Sequence, residues 1–417
     1  MISIGNAQGF WGDRDEAAAE LLQKNPGLHY LTLDYLAELS LSIMAIQKEK
    51  NPEEGYAKDF LRVVESLIPF WKQGAKVKIV TNGGGLNPKG CAEAVAALLK
   101  KNGIEKKIGV VSGDNVLNQF FGENFITANA YLGAKPCVEA LKRGAEIVIT
   151  GRVADPSLTV APAMYAFGWS DTDWNKIAAA TVAGHLIECG PQLTGGIATH
   201  WLELPDPSQI EYPIVEIDKD GEFIIKGHFA SLRSVKEQLL YEIGDPENYL
   251  SPDVTVSLRE IKLVESPEGI KVTGAIGSPA TSTYKVSATT RAGYKCEGSL
   301  IIVGKDAAAK ARKSGEILLQ RIRPERSCVE VLGTGDVLPG VLPKNEQLTE
   351  VVLRVAAADQ DQKKLERFAR QFAPFVTGGP PGITGYSTGR PKVRPQFGYS
   401  CRLIDKTLVN GAVEIIS

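Results

Sequence analysis

The chain has 417 residues, of which 43% are hydrophobic and 23% charged, and 47 basic residues nearly balance 49 acidic ones to give a net charge of −2. This composition is typical of a folded globular protein with room for two domains, and it excludes a disordered chain. The near-neutral charge and the lack of a long basic run exclude nucleic acid as the expected partner.

Three sequence features predict a cytoplasmic protein. The first residues lack the basic region and long apolar core of a signal peptide. No window of about 18 apolar residues occurs, so we expect no membrane span. The cysteines are scattered without metal-ligand spacing, so we expect reduced thiols and no bound metal. They are Cys91, Cys137, Cys189, Cys296, Cys328 and Cys401.

The first 150 residues alternate between strand and helix patterns. The strand patterns cover residues 2–4, 29–33, 77–80, 108–111 and 146–150. The helical patterns cover residues 16–23, 36–46, 57–71, 89–101 and 137–142. Strands that alternate with helices form a parallel sheet covered on both faces. We therefore predict an α/β fold, with a doubly wound, mostly parallel sheet in a Rossmann-like domain over residues 1–200.

The remaining residues predict a C-terminal α+β domain over residues 201–417, because antiparallel strand patterns dominate there. Strand patterns cover residues 212–217, 222–225, 254–264, 270–277, 283–290, 298–303 and 350–356. Helical patterns cover residues 178–188 before the boundary, and 235–243, 307–322 and 362–376 after it. The last helix leads into a Gly/Pro-rich loop at residues 377–391, where Arg390, with Arg394 just beyond, could hold a carboxylate or phosphate. The alternative is a surface loop packed on the first domain.

A glycine-rich loop, Asn82-Gly83-Gly84-Gly85, joins the strand at 77–80 to a helix that Asn87 can cap and Pro88 can start. Glycines let the backbone approach a ligand closely, and unpaired N–H groups at a helix start attract anions. Two known motifs fail, however. Pro88 stands where a dinucleotide fingerprint needs its third glycine, and Cys91 stands where a phosphate loop needs lysine. The loop therefore predicts only a polar or anionic ligand, or a tight connection without one.

Polar side chains follow the ends of all the predicted parallel strands. In chain order they are Asn6, Gln8, Asp34, Asn82, Asp114, Asn115, Arg152 and Asp155. Ligands of open α/β sheets bind outside the carboxyl ends of the strands, near a switch in strand order. We therefore predict a binding site at this edge of the sheet.

The end of the helix at 178–188 offers further reactive groups. His185, Glu188 and Cys189 share one helical face, so they could supply an acid–base pair or a reactive thiol. The alternative is a polar helix end with Cys189 as a small core residue. Thr194 and Gly195 follow directly and are predicted substrate contacts.

Several stretches along the chain form a combination typical of one family. They are Gly5-Asn6-Ala7-Gln8-Gly9-Phe10-Trp11-Gly12-Asp13, Asp34-Tyr35-Leu36-Ala37-Glu38, Thr81-Asn82-Gly83-Gly84-Gly85, Thr150-Gly151-Arg152-Val153-Ala154-Asp155, Gly184-His185-Leu186-Ile187-Glu188-Cys189-Gly190, Glu237-Gln238-Leu239-Leu240-Tyr241-Glu242-Ile243-Gly244-Asp245-Pro246 and Gly379-Pro380-Pro381-Gly382-Ile383-Thr384-Gly385. Together they resemble the acyclic terpene utilisation (AtuA) family over almost the whole chain. The resemblance implies catabolism of branched terpenoid or related acids through acyl-CoA thioesters. Coenzyme A would then enter as part of the substrate, and no other cofactor is implied.

The first functional hypothesis is an enzyme that acts on a small carboxylate or branched acyl-CoA by hydration, lyase chemistry or hydrolysis. Asp114 or Asp155 would be the general base, with His185 or Glu188 as alternatives. Arg152 would pair with a carboxylate. The amides of Gly83, Gly84 and Gly85, with Asn82, would hold an oxyanion or phosphate. The remaining predicted substrate contacts are Asn6, Gln8, Asn115, Thr194, Gly195 and Arg390.

The second hypothesis is a non-catalytic subunit that binds the acyl-CoA and completes another enzyme, working with a small ferredoxin-like partner protein. An ATP-dependent ligase is a third hypothesis, and the failed phosphate-loop motif weakens it. In either of the first two cases we expect a homo-oligomer.

Overall fold

The computed structural model describes residues 1–120, 122–384 and 389–417. It divides into two compact units, one formed by Met1–Thr289 with Tyr399–Ser417 and the other by Thr290–Gly398. The strands are β1 Ile2–Asn6, β2 Tyr30–Leu33, β3 Lys78–Thr81, β4 Ile108–Ser112, β5 Phe125–Ala130, β6 Ile147–Thr150, β7 Ile214–Ile217, β8 Phe223–Lys226, β9 Tyr249–Leu250, β10 Thr255–Ser257, β11 Lys262–Ser266, β12 Gly269–Thr273, β13 Ile276–Ser278, β14 Thr283–Val303, β15 Arg326–Leu332, β16 Glu350–Asp359, β17 Arg394–Asp405 and β18 Ala412–Ile416.

The α-helices of the first unit are α1 Ala17–Lys24, α2 Ser40–Lys50, α3 Asp59–Lys72, α4 Pro88–Lys101, α5 Lys135–Lys142, α6 Ser157–Phe167, α7 Trp174–Glu188 and α8 Leu232–Leu240. Those of the second unit are α9 Ala307–Ile322, α10 Gln362–Arg370 and α11 Phe375–Gly378. Among the described residues no helix combines the length and apolar character needed to cross a membrane.

The first unit is built on one large sheet with the strand order β11-β12-β8-β7-β1-β2-β3-β6-β4-β18. The five central strands, in the spatial order β1, β2, β3, β6 and β4, are parallel. The flanking strands are antiparallel. A large, mostly parallel sheet confirms the predicted α/β fold. A small antiparallel sheet, β13-β10-β9, also belongs to this unit.

Helices cover both faces of the parallel strands, because both faces of these strands are apolar. Ile79 and Ile149 pack with α1, α3 and α4 on one face, while Val80 and Val148 pack with α5, α6 and α7 on the other. The chain moves across the sheet in one direction from β1 to β4 and then returns through β6 to β7. The helices change face where this direction reverses. The sheet is therefore doubly wound.

The second unit carries β15, β16 and part of β14 in an antiparallel sheet. Its core combines these strands with α9 and α10, through residues such as Leu318, Leu353 and Phe368. The chain enters this unit within β14 and leaves it within β17. Most of the loop predicted at 377–391 belongs to this unit, and its residues 385–388 lie outside the described part of the chain.

Several boundaries differ from the predictions. The expected division near residue 200 is replaced by one at residue 289, because β7 pairs with β1 and continues the first sheet through β8 and β12. The helix predicted at 362–376 ends at Arg370, and the short α11 begins after its N-cap residue, Pro374. The two strands predicted at 283–290 and 298–303 form the single strand β14. Strands β5, β9, β15, β17 and β18 and helix α6 were not predicted.

Candidate functional site

The carboxyl ends of β3 and β6 are the topological switch point of the sheet, since these neighbours lead to helices on opposite faces. The glycine-rich loop fills this position with its own backbone. A Cβ on Gly84 would lie 2.6 Å from the carbonyl oxygen of Thr150. Gly83 packs under the ring of Tyr35, and Gly85, with φ at 51°, packs against Met44. Packing of the chain on itself therefore explains the glycines.

Two amides predicted as substrate contacts instead connect the loops around the switch point. Asn82 accepts a hydrogen bond from the backbone N–H of Tyr35 and donates one to Asp34, both at 2.7 Å. Asn6 donates to the carbonyl oxygens of Ile187 and Glu188, at 2.5 and 2.7 Å. Asn6 thereby satisfies unpaired carbonyls at the end of α7 and fixes the position of that helix end.

Arg152 is the charged residue buried deepest beside the switch point, with 1% of its surface exposed. Its guanidinium donates to the carbonyl oxygens of Leu36, at 2.6 Å, and Val153, and it forms an ion pair with Asp155. The ring of Tyr131 stacks against it, with 4.4 Å from Cζ to the ring centre. Protein groups therefore occupy most of the N–H donors of Arg152, which the sequence analysis predicted to bind a substrate carboxylate.

Asp114 positions the loop after β6. Its Oδ2 accepts hydrogen bonds from the backbone N–H of Arg152, at 2.8 Å, and from Asn129, at 2.7 Å. The carboxyl lies so close to Gly151 that a Cβ there would come within 2.4 Å of it. Asp114 is thus a structural partner of the loop that carries Arg152 and Asp155.

A cavity of about 470 Å³ lies next to this loop, within the first unit. That volume is typical of small-molecule sites, which measure about 300–1,000 Å³. Its polar walls include Glu38, Tyr131, Asp155, His185, Glu188, Glu242, Tyr249 and Lys285. Its apolar walls include Pro156, Ile243, Leu250, Pro252 and Leu403. The cavity therefore offers acid–base groups together with a hydrocarbon surface.

The innermost polar pair comes from the end of α7. Nδ1 of His185 lies 3.2 Å from Oε1 of Glu188, one helical turn further along, and the two side chains are 4% and 14% exposed. Nε2 of His185 and Oε2 of Glu188 are buried, and they have no hydrogen-bond partner among the described residues. The same is true of the hydroxyl of Tyr131. Three polar atoms in the residues that line the cavity thus have unused hydrogen-bonding capacity.

Burial shifts the proton affinities of these groups towards neutral forms. It raises the pKa of Asp155, an effect that Arg152 partly offsets and the neighbouring Asp34 carboxyl strengthens. It raises the pKa of Glu188 well above its ordinary value, with further increases from Asp155 and Glu242. It lowers the pKa of His185, and the nearby backbone of Gln238 and Leu239, which does not reach hydrogen-bond geometry with Nε2, offsets part of that shift. Carboxyls with raised pKa and a neutral imidazole in one cavity can exchange protons with a substrate near neutral pH.

The structure brings together some of the predicted site residues and separates others. Asp155, His185 and Glu188 line the cavity, and Arg152 lies directly behind Asp155. The others do not line it; they are Asn6, Gln8, Asn82, Gly83, Gly84, Gly85, Asp114, Asn115, Thr194, Gly195 and Arg390. Arg390 belongs to the second unit. Within the described part of the chain, no group of three or more His, Cys, Asp or Glu side chains is arranged to hold a metal ion.

The sequence reasoning missed Tyr131, Glu242, Tyr249 and Lys285, which all line the cavity. Tyr131 lies just after the unpredicted strand β5, and its backbone N–H donates to the carbonyl of Lys285, at 2.8 Å, on β14. Tyr131 and Lys285 carry no local signal, because pairing between segments more than 150 positions apart brings them to the cavity. Glu242 lies within the stretch 237–246 that carries the family resemblance, so that resemblance was a signal that could have found it.

Fold and site together define a mixed α/β protein with a large, mostly parallel sheet and a cavity lined by carboxyl groups. The sequence matches the family model described as "Acyclic terpene utilisation family protein AtuA" over residues 2–415. The chain therefore belongs to this family, whose role in acyclic terpene utilisation is catabolic. No curated protein and no solved structure matches the chain.

Proposed function

We propose that this chain is a catabolic enzyme that transfers protons to and from the branched hydrocarbon acyl group of its substrate in the 470 Å³ cavity. The observation that carries the proposal is the unpaired state of Nε2 of His185 and Oε2 of Glu188 in buried side chains that line it. Leaving a buried polar atom unpaired costs about 1–3 kcal/mol. Proteins keep such unpaired buried groups mainly at functional sites.

Hydration or lyase chemistry agrees best with these groups, since it needs one proton donor and one acceptor on opposite parts of a substrate. The hydrogen bond between Nδ1 of His185 and Oε1 of Glu188, 3.2 Å apart, leaves Nε2 as a proton donor when Glu188 holds the proton and as a proton acceptor when His185 holds it. Asp155, with its raised pKa, provides the second exchanging group. Hydrolysis would use the same groups to activate water.

The charges in the cavity favour a thioester over a free carboxylate. The walls carry the acidic residues Glu38, Asp155, Glu188 and Glu242, with Lys285 as a cation, and Lys285 already lies 3.8 Å from Glu38. A substrate carboxylate would lose its hydration beside buried carboxyl groups that favour their neutral forms, and any of them that ionised would repel it. A neutral acyl carbonyl avoids this repulsion, and the hydrocarbon part would contact Ile243, Leu250 and Leu403.

The test compares the wild-type chain with Asp155→Asn on branched acyl-CoA thioesters and on the corresponding free acids. Asp220→Asn is the matched control, because Asp220 lies in an exposed turn away from the cavity. We expect turnover of the thioester to fall at least about 100-fold in Asp155→Asn and to be unchanged in the control.

Thioester binding without turnover by the wild-type chain would refute catalysis. It would instead favour the acyl-CoA-binding subunit, above all if adding a small partner protein restored turnover. Turnover that survives Asp155→Asn would remove this residue from the mechanism.

A further inference from the structure

The second unit contains a hollow of about 450 Å³ with a concentration of positive charge. Four cationic residues line it, namely Lys295, Arg390, Lys392 and Arg394, with Glu297 as the acidic residue in the lining. We call this the basic hollow. The whole chain carries a net charge of only −2, so an excess of three positive charges in one small hollow is a local departure from the average.

The hydrophobic core of the unit leaves these charged side chains at its surface. On β14, Cys296 is 2% exposed and belongs to the hydrophobic core, so its neighbours Lys295 and Glu297 face outwards. On the opposite segment, Val393 packs against the same core. Lys392 and Arg394, on either side of Val393, are exposed and line the hollow.

The segment that carries Arg390 and Lys392 is held closely against β14. Gly298 makes this possible, because a Cβ there would lie 2.6 Å from both the ring of Pro391 and the ring of Phe372. Proline also fixes its own φ. The guanidinium and ammonium groups thus project from a backbone with a defined position, which lowers the cost of gathering them around a ligand.

The cations of the basic hollow lack the partners that other cations of this unit have. Arg312 pairs with Asp336 and Glu346, Arg354 with Glu330, and Lys364 with Asp359. Within the described ranges, no ion pair joins Lys295, Arg390, Lys392 or Arg394 to an acidic group. Glu297 offsets one of the four charges, the remaining excess of positive charge is repulsive, and a bound anion would relieve that repulsion.

We propose that the basic hollow binds a small molecule through a diphosphate group. Two guanidinium groups can each bind phosphoryl oxygens in a bidentate manner, and two ammonium groups add compact charge. Four cations are well matched to two adjacent phosphoryl groups, which carry more charge than a single carboxylate. This site is separate from the cavity of the first unit, and its test does not depend on the reaction proposed there.

The experiment measures binding of inorganic pyrophosphate and inorganic phosphate to the full chain by isothermal titration calorimetry, at low and at high salt. The variant Arg390→Gln/Arg394→Gln removes two charges from the hollow. The control variant Lys305→Gln/Lys363→Gln removes two charges from exposed positions of the same unit that do not line the hollow. All four side chains are exposed, so both variants are expected to keep the thermal stability of the wild type.

We expect saturable pyrophosphate binding that is tighter than phosphate binding and weaker at high salt, because the cations are exposed. Arg390→Gln/Arg394→Gln should weaken pyrophosphate binding at least about tenfold, and the control should match the wild type. Absence of saturable binding to the wild type would overturn the proposal. Equal losses in the two variants would also overturn it, since they would indicate attraction by overall charge alone.

Discussion

Replacing Glu188 by glutamine tests whether this carboxyl is retained for chemistry rather than for stability. Glutamine has the shape of the protonated carboxylic acid and cannot ionise. In the folded chain the pKa of Glu188 is raised well above its ordinary value of 4.5, chiefly by burial. The folded state therefore holds this proton more tightly than the unfolded state, and the wild type loses stability as the pH rises above about 4.5. Glu188→Gln should not show that loss.

The size of the effect follows from the pH interval. Each unit between the unfolded pKa and the working pH costs about 1.36 kcal/mol, so a rise to pH 7 gives an upper limit of about 3.4 kcal/mol. The side chain keeps 14% exposure, and Arg152 favours the charged form, which both reduce the value. We expect Glu188→Gln to be more stable than the wild type by about 1–3 kcal/mol at pH 7 and by less than about 0.7 kcal/mol at pH 5.

The assay is urea unfolding at several pH values between 5 and 8, followed by tryptophan fluorescence. All tryptophans of the chain (Trp11, Trp71, Trp169, Trp174 and Trp201) lie in the first unit, so the signal reports the unit that contains the cavity. Glu268→Gln, at an exposed position away from the cavity, is the control and should follow the wild type at each pH.

A Glu188→Gln variant that is no more stable than the wild type at pH 7 would refute the reasoning about burial. A stability difference that stays constant with pH would refute it as well. If the variant is more stable yet keeps full turnover, the carboxyl is not needed for the reaction, and the proposed role of the pair with His185 fails.

Three further substitutions have defined outcomes. Tyr131→Phe removes a buried hydroxyl without a described partner, so kcat for the thioester should fall roughly 100-fold while the unfolding free energy rises by up to about 1–3 kcal/mol. An unchanged kcat would exclude a hydrogen bond to the substrate. Gly84→Ala should destabilise the first unit by about 1–3 kcal/mol, because its Cβ would meet the last carbonyl of β6. The control Gly27→Ala, whose Cβ would meet no atom within 4 Å, should change stability little. Equal effects of the two variants in urea unfolding would refute the packing role of Gly84. Asp336→Asn should lower the unfolding free energy of the second unit by about 1–2 kcal/mol at pH 7, because Arg312 lowers the pKa of Asp336 to about 2. Hydrogen exchange of this unit should show the difference from the wild type disappearing as the pH falls from about 4 to 2. A full difference that persists at pH 2 would contradict the ion pair.

Local patterns in the sequence determined the central sheet and part of the site. The apolar runs of β3 and β6 predict strands buried on both faces, and the structure covers both faces with helices. Asn87 caps α4 as expected, since its Oδ1 accepts from the N–H of Gly90 at 3.0 Å. His185 and Glu188 meet because residues three apart on a helix always lie on one face. Each of these features depends on neighbours within a few positions.

Only the tertiary structure decided what the polar strand exits do. Gly84 contacts β6, and Asn6 contacts the end of α7, so groups that resembled ligand contacts are used to join loops. Tyr131 reaches the cavity because its segment pairs with β14, more than 150 positions away. Strand order and long-range pairing determine which polar groups find partners inside the protein and which stay available for a substrate. Such pairing depends on the free energy of the whole fold, so no local pattern could show it.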